Sequence, residues 1–412
     1  MKGADDFHHS EAGPIPRGRE ASTVGAEFDV RLGKMLDAAR NVGEPKPYLG
    51  NRSVQWGRID VDDLGMVPLT RAEQLALRLR SGDLLVCEGG DVGRAAIWRD
   101  QLSECYYQKA LHRLRPRNGY SPELMAAYLR FWSERGALVD FVTQTSIAHL
   151  PREKLVIVPL PRPPSEEQAA IAGALSDADA LLATLDRLIA KKRDLKQAAM
   201  QQLLTGRMRL AGFATPWQEI QLGRLGSFSK GRGLAKDDLA RGGQLPAVPY
   251  TAIYTDLGQI ASMVDVAGRV SRSRAEVIVN RPSLLIASSS NMLENIGKAV
   301  ALCIDGEVAV GGDVLIFRTQ ADVRFLSYLL STEAHRRRVV ALSQGSTIRH
   351  VYAATFNDYE VKLPSREEQV AIADVLVEMD AELSALEARR NKTHQLKQGM
   401  MQALLTGRIR LT

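Results

Sequence analysis

Cysteine is scarce: Cys87, Cys105 and Cys303 are the three in 412 residues, and no two share a Cys-x-x-Cys spacing. That leaves neither a disulfide framework nor a zinc site written in the chain, and it points to a reducing, cytoplasmic setting. Long apolar runs are lacking as well. None approaches the ~18 residues that a membrane-spanning helix needs, so no membrane partner is expected. The segment Met1 to Thr23 is polar, rich in Gly, Pro, His and charge, and lacks the apolar core of a signal peptide. It is expected to be a disordered tail over residues 1–23.

Catalytic signatures are missing too. Methyl transfer to an exocyclic amine calls for an Asp/Asn-Pro-Pro-aromatic loop, and the nearest string, Arg162-Pro163-Pro164-Ser165, has neither the acid or amide nor the aromatic. No Gly-x-x-x-x-Gly-Lys-Ser/Thr phosphate loop occurs. Glu153-Lys154 alone does not make a metal nuclease, the glycines around Gly89-Gly90-Asp91-Val92-Gly93 read as a turn, and no His/Cys/Ser nucleophile arrangement stands out. The chain is therefore expected to be non-catalytic, with no cofactor and no metal site of its own.

What is present begins with balanced charge. Lys and Arg outnumber Asp and Glu by 54 to 48, and 45% of residues are hydrophobic, the profile of an ordinary globular protein with a mild preference for a polyanionic partner. The length suffices for two or more cores.

The strongest signal is internal. Residues 166–210 match 367–411 at a constant offset of 201, with 24 of 45 positions identical. Each block starts with Glu-Glu-Gln (Glu166-Glu167-Gln168 and Glu367-Glu368-Gln369). Each ends with Leu-Leu-Thr-Gly-Arg (Leu203 to Arg207 and Leu404 to Arg408). Apolar residues step by four and three through Ile171, Leu175, Ala178, Leu182, Leu185 and Ile189, and through Ile372, Leu376, Met379, Leu383 and Leu386. That is a heptad seam. Ser165 and Ser365 precede acidic residues, as a helix start prefers, and Gly206 and Gly407 stand where a C-terminal cap belongs. A helix of about 39 residues, roughly 58 Å long at ~1.5 Å per residue, needs a partner along its length. The seam weakens at Ala190 to Asp194 and Asn391 to Gln395, read as a solvated or partner-facing turn.

Residues 24–160 and 211–363 precede the helices and read as α+β domains of short strands, turns and some helix. They correspond in outline: Asp83-Leu84-Leu85-Val86-Cys87 parallels Ser283-Leu284-Leu285-Ile286-Ala287, and Gln144-Thr145-Ser146-Ile147-Ala148-His149 parallels Gly345-Ser346-Thr347-Ile348-Arg349-His350. The loops after the apolar strands differ completely, Glu88 to Asp91 against Ser288 to Asn295. The expected organisation is a domain over 24–160, a central spacer helix over 161–210, a second domain over 211–363 and a C-terminal spacer helix over 364–412. Scaffold residues are kept and loop residues have diverged, as in two copies of one binder with two specificities.

These features in this order, from about Phe28 to Leu411, resemble the specificity subunit of type I restriction-modification systems. The resemblance implies a pseudo-two-fold fold of two α/β target recognition domains separated by two long antiparallel coiled-coil helices. It further implies readout of a split, asymmetric site in double-stranded DNA, two methyltransferase subunits docked on the helices, and two restriction subunits in the full complex. S-adenosylmethionine, ATP and Mg are then expected on the partners only. The first domain departs from the family's Gly-Ser-Thr-Ile at Gln144 to Ile147, which weakens a transfer of role to Thr145 and Ser146. A coiled-coil interaction scaffold for nucleic acid or protein, without base readout, is the alternative.

Base edges are read by Arg, Lys, Asn, Gln and Ser, while phosphate contacts fix position. The candidates in the first domain are Asn51, Arg52, Gln55, Trp56, Arg58, Arg94, Gln144 and Thr145. In the second they are Lys230, Arg232 and Lys236 on a basic Gly-rich loop, with Ser288, Ser289, Ser290, Asn291, Asn295, Lys298, Ser346 and Arg349 at the paired loops. His149 and His350, recurring at equivalent places, suggest a fold role. His335-Arg336-Arg337-Arg338 is open between a phosphate contact and a solvated helix end.

Overall fold

A computed structural model describes residues 7–10, 13–16, 18–37, 39–144, 148–234, 236–240 and 242–411. The chain divides into two compact units, a discontinuous one of residues 1–186 with 388–412 and a continuous one of residues 187–387. The boundary cuts both long helices, Ser165–Leu203 and Arg366–Leu405, so each unit holds the first part of one helix and the last part of the other. The linear division read from the sequence does not anticipate this exchange.

In the first unit a four-stranded sheet has the order Ala95–Ile97, Leu84–Cys87, Leu111–Pro116, Phe28–Leu32. Leu84–Cys87 is buried on every residue, as an unbroken apolar strand covered on both faces must be. Alternation along it feeds two cores. Leu84 and Val86 join Phe28, Leu124 and Tyr128, while Leu85 and Cys87 join Leu49, Trp98 and Tyr107. The second unit repeats the device: Leu284 and Ile286 of Ser283–Ala287 pack with Phe317, Phe325 and Tyr328, and Leu285 and Ala287 pack with Val248, Val300 and Val310. In each unit the strand that opens the domain pairs antiparallel with the strand leading into the long helix, Glu20–Thr23 with Pro159–Arg162 and Gln218–Gln221 with Glu360–Leu363.

The first pairing corrects the expectation of a disordered tail through Thr23. Arg19 is buried and donates from Nη1 to Leu405 O (3.0 Å) and from Nη2 to Leu404 O (2.8 Å). The last carbonyls of a helix lack internal donors, and Arg19 supplies them. Phe7–Ser10 also pairs with Gly13–Pro16.

The duplicated motifs form one joint used twice. Glu167, at the start of the central helix, accepts from Arg410 Nε and Nη2 at 2.7 Å, beyond the end of the C-terminal helix. Glu368, at the start of the C-terminal helix, accepts from Arg209 Nε (2.5 Å) and Nη2 (2.6 Å), beyond the end of the central one. Gln168 Oε1 accepts from Ser121 N at 2.9 Å and Gln369 Oε1 from Asp322 N at 3.0 Å, tying each helix start to the cap of its own domain's helix, Pro122–Glu134 or Val323–Ser331. Gly206 (φ +67°) and Gly407 (φ +70°) adopt the left-handed conformation of a helix C-terminus.

Within each unit the two helices run antiparallel. Lys397 pairs with Asp179 and Arg390 with Asp186 in the first; Lys196 pairs with Asp380, Lys192 with Glu382 and Arg193 with Glu387 in the second. The helix runs continuously through Ala190 to Asp194, where Lys192 and Arg193 form ion pairs with the other helix rather than facing only solvent. Of the seam, Ile171, Leu175, Leu185, Ile189, Ile372, Leu376 and Leu383 are buried, and Leu182, Met379 and Leu386 half-buried. Ile171 and Leu175 lie in the first domain's core with Met401, Leu404 and Leu405, and Ile372 and Leu376 in the second's with Leu203 and Leu204. The heptad positions thus anchor each domain as well as pairing the helices. No helix among the described residues is long and apolar enough to cross a membrane.

Candidate nucleic-acid interface

In the first domain three segments converge beyond the ends of the central strands. Val54–Gln55 pairs with Arg58–Ile59 around a turn whose Gly57 has φ +69°. This hairpin presents Arg52 and Arg58 exposed and Gln55 and Trp56 half-buried. Trp56 Nε1 donates to Asp91 Oδ2 at 2.9 Å, reaching the loop after Leu84–Cys87, and Asn51 Nδ2 donates to Gly89 O at 3.2 Å. Gly89 in turn bridges to His149. The hairpin, the loop 88–94 and His149 thus lie side by side. Thr145 and the side chain of Gln144 lie outside the described residues.

The second domain assembles the same way. Lys230 pairs with Asp313 at 3.3 Å, and the Asp313 carbonyl accepts from Ser288 N at 2.9 Å, which joins the basic loop to the loop after Ser283–Ala287. Ser289–Ser290 pairs with Arg349–His350. Lys230, Arg232, Asn291 and Ser346 are exposed, and the side chain of Lys236 lies outside the described residues.

Several candidates turn inward and are corrected as direct readers. Ser288, Ser289 and Ser290 are buried, the last two inside the strand pair. Arg349 Nη1 donates to Ser343 O and Oγ, both at 3.2 Å. Asn295 is half-buried, with Nδ2 on Met292 Sδ at 3.7 Å. Arg94 Nη2 donates to Asn51 O at 3.0 Å and Lys298 Nζ to Tyr254 O at 3.3 Å. Arg349, Arg94 and Lys298 each satisfy a backbone carbonyl, so their polar groups are already engaged. The basic run at 335–338 is only partly engaged within the chain: Arg336 donates to Ile296 O (2.6 Å) and Glu294 O (2.9 Å), whereas Arg337, paired with Glu333, and Arg338, over the Tyr359 ring, are exposed. His335 Nδ1 meets Tyr359 Oη at 2.8 Å, and burial drives its pKa down to about 4. His149 and His350 hold their places through backbone pairing, at Gly89 and Ser289, in keeping with a fold role.

Sequence reasoning missed Lys109, exposed in the turn whose Ala110 O receives Glu88 N, and Tyr254, whose hydroxyl donates to Ser289 O. Neither belongs to a motif. Only the strand register shows that they lie beside the loops. Among the described residues no group of three or more His, Cys, Asp or Glu is placed to hold a metal ion.

Residues 215–397 match the family described as Type I restriction modification DNA specificity domain. A protein of Methanocaldococcus jannaschii provisionally named the type I restriction enzyme MjaX specificity subunit is 23% identical over 99% of this chain and 97% of its own length. The MjaVIII specificity subunit of the same organism is 23% identical over 65% of this chain and 66% of its own. Among solved structures, the S subunit of a type I system from M. genitalium aligns with a TM-score of 0.61 at 16% identity over 98% of both chains. The HsdS subunit from Thermoanaerobacter tengcongensis aligns with 0.51 at 15% identity, covering 98% of this chain and 100% of that one.

Proposed function

From a chain that belongs to the type I restriction enzyme specificity subunit family, we propose a non-catalytic subunit that reads a split, asymmetric duplex site and directs adenine methylation and restriction by partner subunits. The observation that carries this reading is the pair of loop clusters, built on one scaffold and filled with unlike residues: Arg52, Gln55, Trp56 and Arg58 in one, Lys230, Arg232, Asn291 and Ser346 in the other. Two different readers on one chain make a site whose halves differ. Contacts from Arg and Lys to phosphate hold each domain in register, and the polar side chains discriminate bases in the groove.

Two methyltransferase subunits dock along the helices in this proposal, two restriction subunits join when the complex cuts, and S-adenosylmethionine, ATP and Mg belong to those partners. Support comes from leucines that the helix pair leaves uncovered, Leu181, Leu188, Leu195 and Leu396, between 37% and 58% exposed. The complex acts in the cytoplasm, where its DNA is. The test is to co-express the chain with a methyltransferase subunit encoded beside it in a methylation-free host and to map modified adenines by single-molecule sequencing. Two unlike half-sites around a fixed unspecified spacer are expected. A stable complex that methylates nothing would favour the scaffold alternative.

A further inference from the structure

The two domains share a three-member brace under their recognition loops that sequence alignment does not reveal. Backbone register sets the correspondence. Leu49 pairs parallel with Tyr107 as Val248 does with Val310. Cys87 N donates to Arg94 O (2.8 Å) as Ala287 N does to Lys298 O (2.9 Å). Leu150 N donates to Glu88 O (2.7 Å) as Val351 N does to Ser288 O (2.9 Å). Arg94 thus occupies the place of Lys298, and Gly89 that of Ser289.

On this frame the same connections recur with different chemistry. In the first domain the Arg94 guanidinium donates to Asn51 O, and the Asn51 side chain donates to Gly89 O. In the second the Lys298 ammonium donates to Tyr254 O, and the Tyr254 hydroxyl donates to Ser289 O. Asn51 lies two residues past Leu49, whereas Tyr254 lies six past Val248, one helical turn on within Ala252–Thr255. The two side chains reach equivalent carbonyls from non-equivalent positions.

We propose that Arg94–Asn51–Gly89 and Lys298–Tyr254–Ser289 are positioning triads that lock the loop after the second sheet's strand to the loop after the central strand, so that both present base-reading groups as one rigid surface. The four side-chain donors act through the loops and touch no base. Partial burial is in keeping with this for the second triad: both residues are half-buried, which lowers the Lys298 pKa from its ordinary value and pushes Tyr254 up to about 12. The effect on base selectivity rests on the function proposed above, whereas the bracing itself does not.

The test uses the full chain bound to its co-expressed methyltransferase subunit, with Tyr254→Phe, Lys298→Met and Lys298→Arg. Two readouts are taken: amide hydrogen exchange over 289–295, and affinity for the methylated motif's duplex and for duplexes with single changes in either half, across a salt series. Tyr254→Phe and Lys298→Met should speed exchange over 289–295 and lower discrimination in one half-site by about tenfold, the scale of one lost hydrogen bond. The other half-site and the salt slope should not change. Lys298→Arg should retain discrimination, because the first domain uses Arg94 in that place. If Lys298→Met instead lowers the salt slope by about one with discrimination intact, the lysine is a phosphate contact and the triad is refuted. If the unmutated complex discriminates no duplex, the proposed function fails, and the exchange data alone decide whether the brace exists.

Discussion

Glu167→Gln is expected to destabilise the first unit more than Glu368→Gln destabilises the second, although the two glutamates are repeat equivalents. Glu167 faces two guanidiniums, Arg19 with a side chain fully shielded from solvent and Arg410 with a quarter exposed. Glu368 faces only Arg209 among the described residues, also a quarter exposed. Removing one partner of a buried ion pair costs about 3–5 kcal/mol, because the remaining charge is left without compensation. The amide keeps one acceptor oxygen, which places Glu167→Gln near about 3 kcal/mol. Glu368→Gln strands a single, partly hydrated arginine, so its cost is nearer about 1.5–2 kcal/mol, that of a charge-assisted hydrogen bond. In units of this size about 3 kcal/mol lowers the Tm by roughly 6–12 °C.

Calorimetry, with amide exchange to assign each transition to a unit, measures both variants. The pH dependence adds a second check. Burial by itself would raise the Glu167 carboxyl, but Arg19 and Arg410 outweigh it and hold the pKa below its ordinary value of 4.5. The folded state is thus favoured above pH 4.5, and that stabilisation is lost as pH falls through the depressed value. The Gln variant lacks this contribution, so its stability should converge on the parent's once pH has fallen below that depressed value. Equal costs for the two substitutions, or a gap that persists at low pH, would refute the two-arginine joint.

Three further outcomes follow from the same structure. His112 is fully buried with Nε2 on Leu150 O at 2.8 Å, and burial lowers its pKa from 6.5 to about 4. Its neutral form therefore stabilises the fold above pH 6.5, and roughly 3 kcal/mol should disappear between pH 6.5 and 4. Urea titrations should show that dependence flattened in His112→Gln, which keeps a donor for Leu150 O but does not titrate. Four residues inserted at matched positions in both helices lengthen each by ~6 Å. Methylome mapping should then show the unspecified spacer longer by on the order of two base pairs with both half-sites kept, and an unchanged spacer would show that the helices are not the ruler. Leu195→Lys with Leu396→Lys should weaken co-purification of the methyltransferase subunit at least tenfold while the chain's own Tm stays within ~2 °C. Undiminished co-purification would place the docking surface elsewhere.

The duplicated helices, their caps and their apolar seam were legible because they repeat at a single offset and follow helical periodicity, whereas the antiparallel pairing came from the family resemblance alone. The central strands were legible as apolar runs. What sequence did not display was the exchange of helix ends between units, although its chemistry was there in the repeated Glu167 and Glu368 and the repeated Arg209 and Arg410. The glutamates read as helix starts and the arginines only as part of the repeat, because a motif shows local spacing but not its partner about 200 positions away. The tail was misread for a related reason: a single arginine, Arg19, finds its carbonyls across 385 residues. Candidate readers were chosen by residue type, and type cannot tell an exposed Asn291 from a buried Ser289 beside it. Lys298 and Arg94 were selected for charge, whereas the fold uses that charge on backbone carbonyls.

The triads bear on how such domains diverge. Loop residues that read DNA are free to change only if the loop stays rigid in each new version, since a mobile loop lowers discrimination whatever its side chains. Here rigidity is supplied by different residues in the two domains, Asn51 with Arg94 and Tyr254 with Lys298, at positions that do not align. A loop moved between domains without its brace should therefore fold but discriminate poorly. Grafting 288–295 in place of 88–91 together with Asn51→Ala, which removes the host donor to that carbonyl, should leave methylation weak and permissive at that half-site. The same graft with Asn51 kept should restore selectivity without changing affinity for non-specific duplex, because Asn51 reaches the carbonyl equivalent to that of Ser289. If the graft with Asn51→Ala is already as selective as its parent domain, the loop is self-supporting and the brace has no part in specificity.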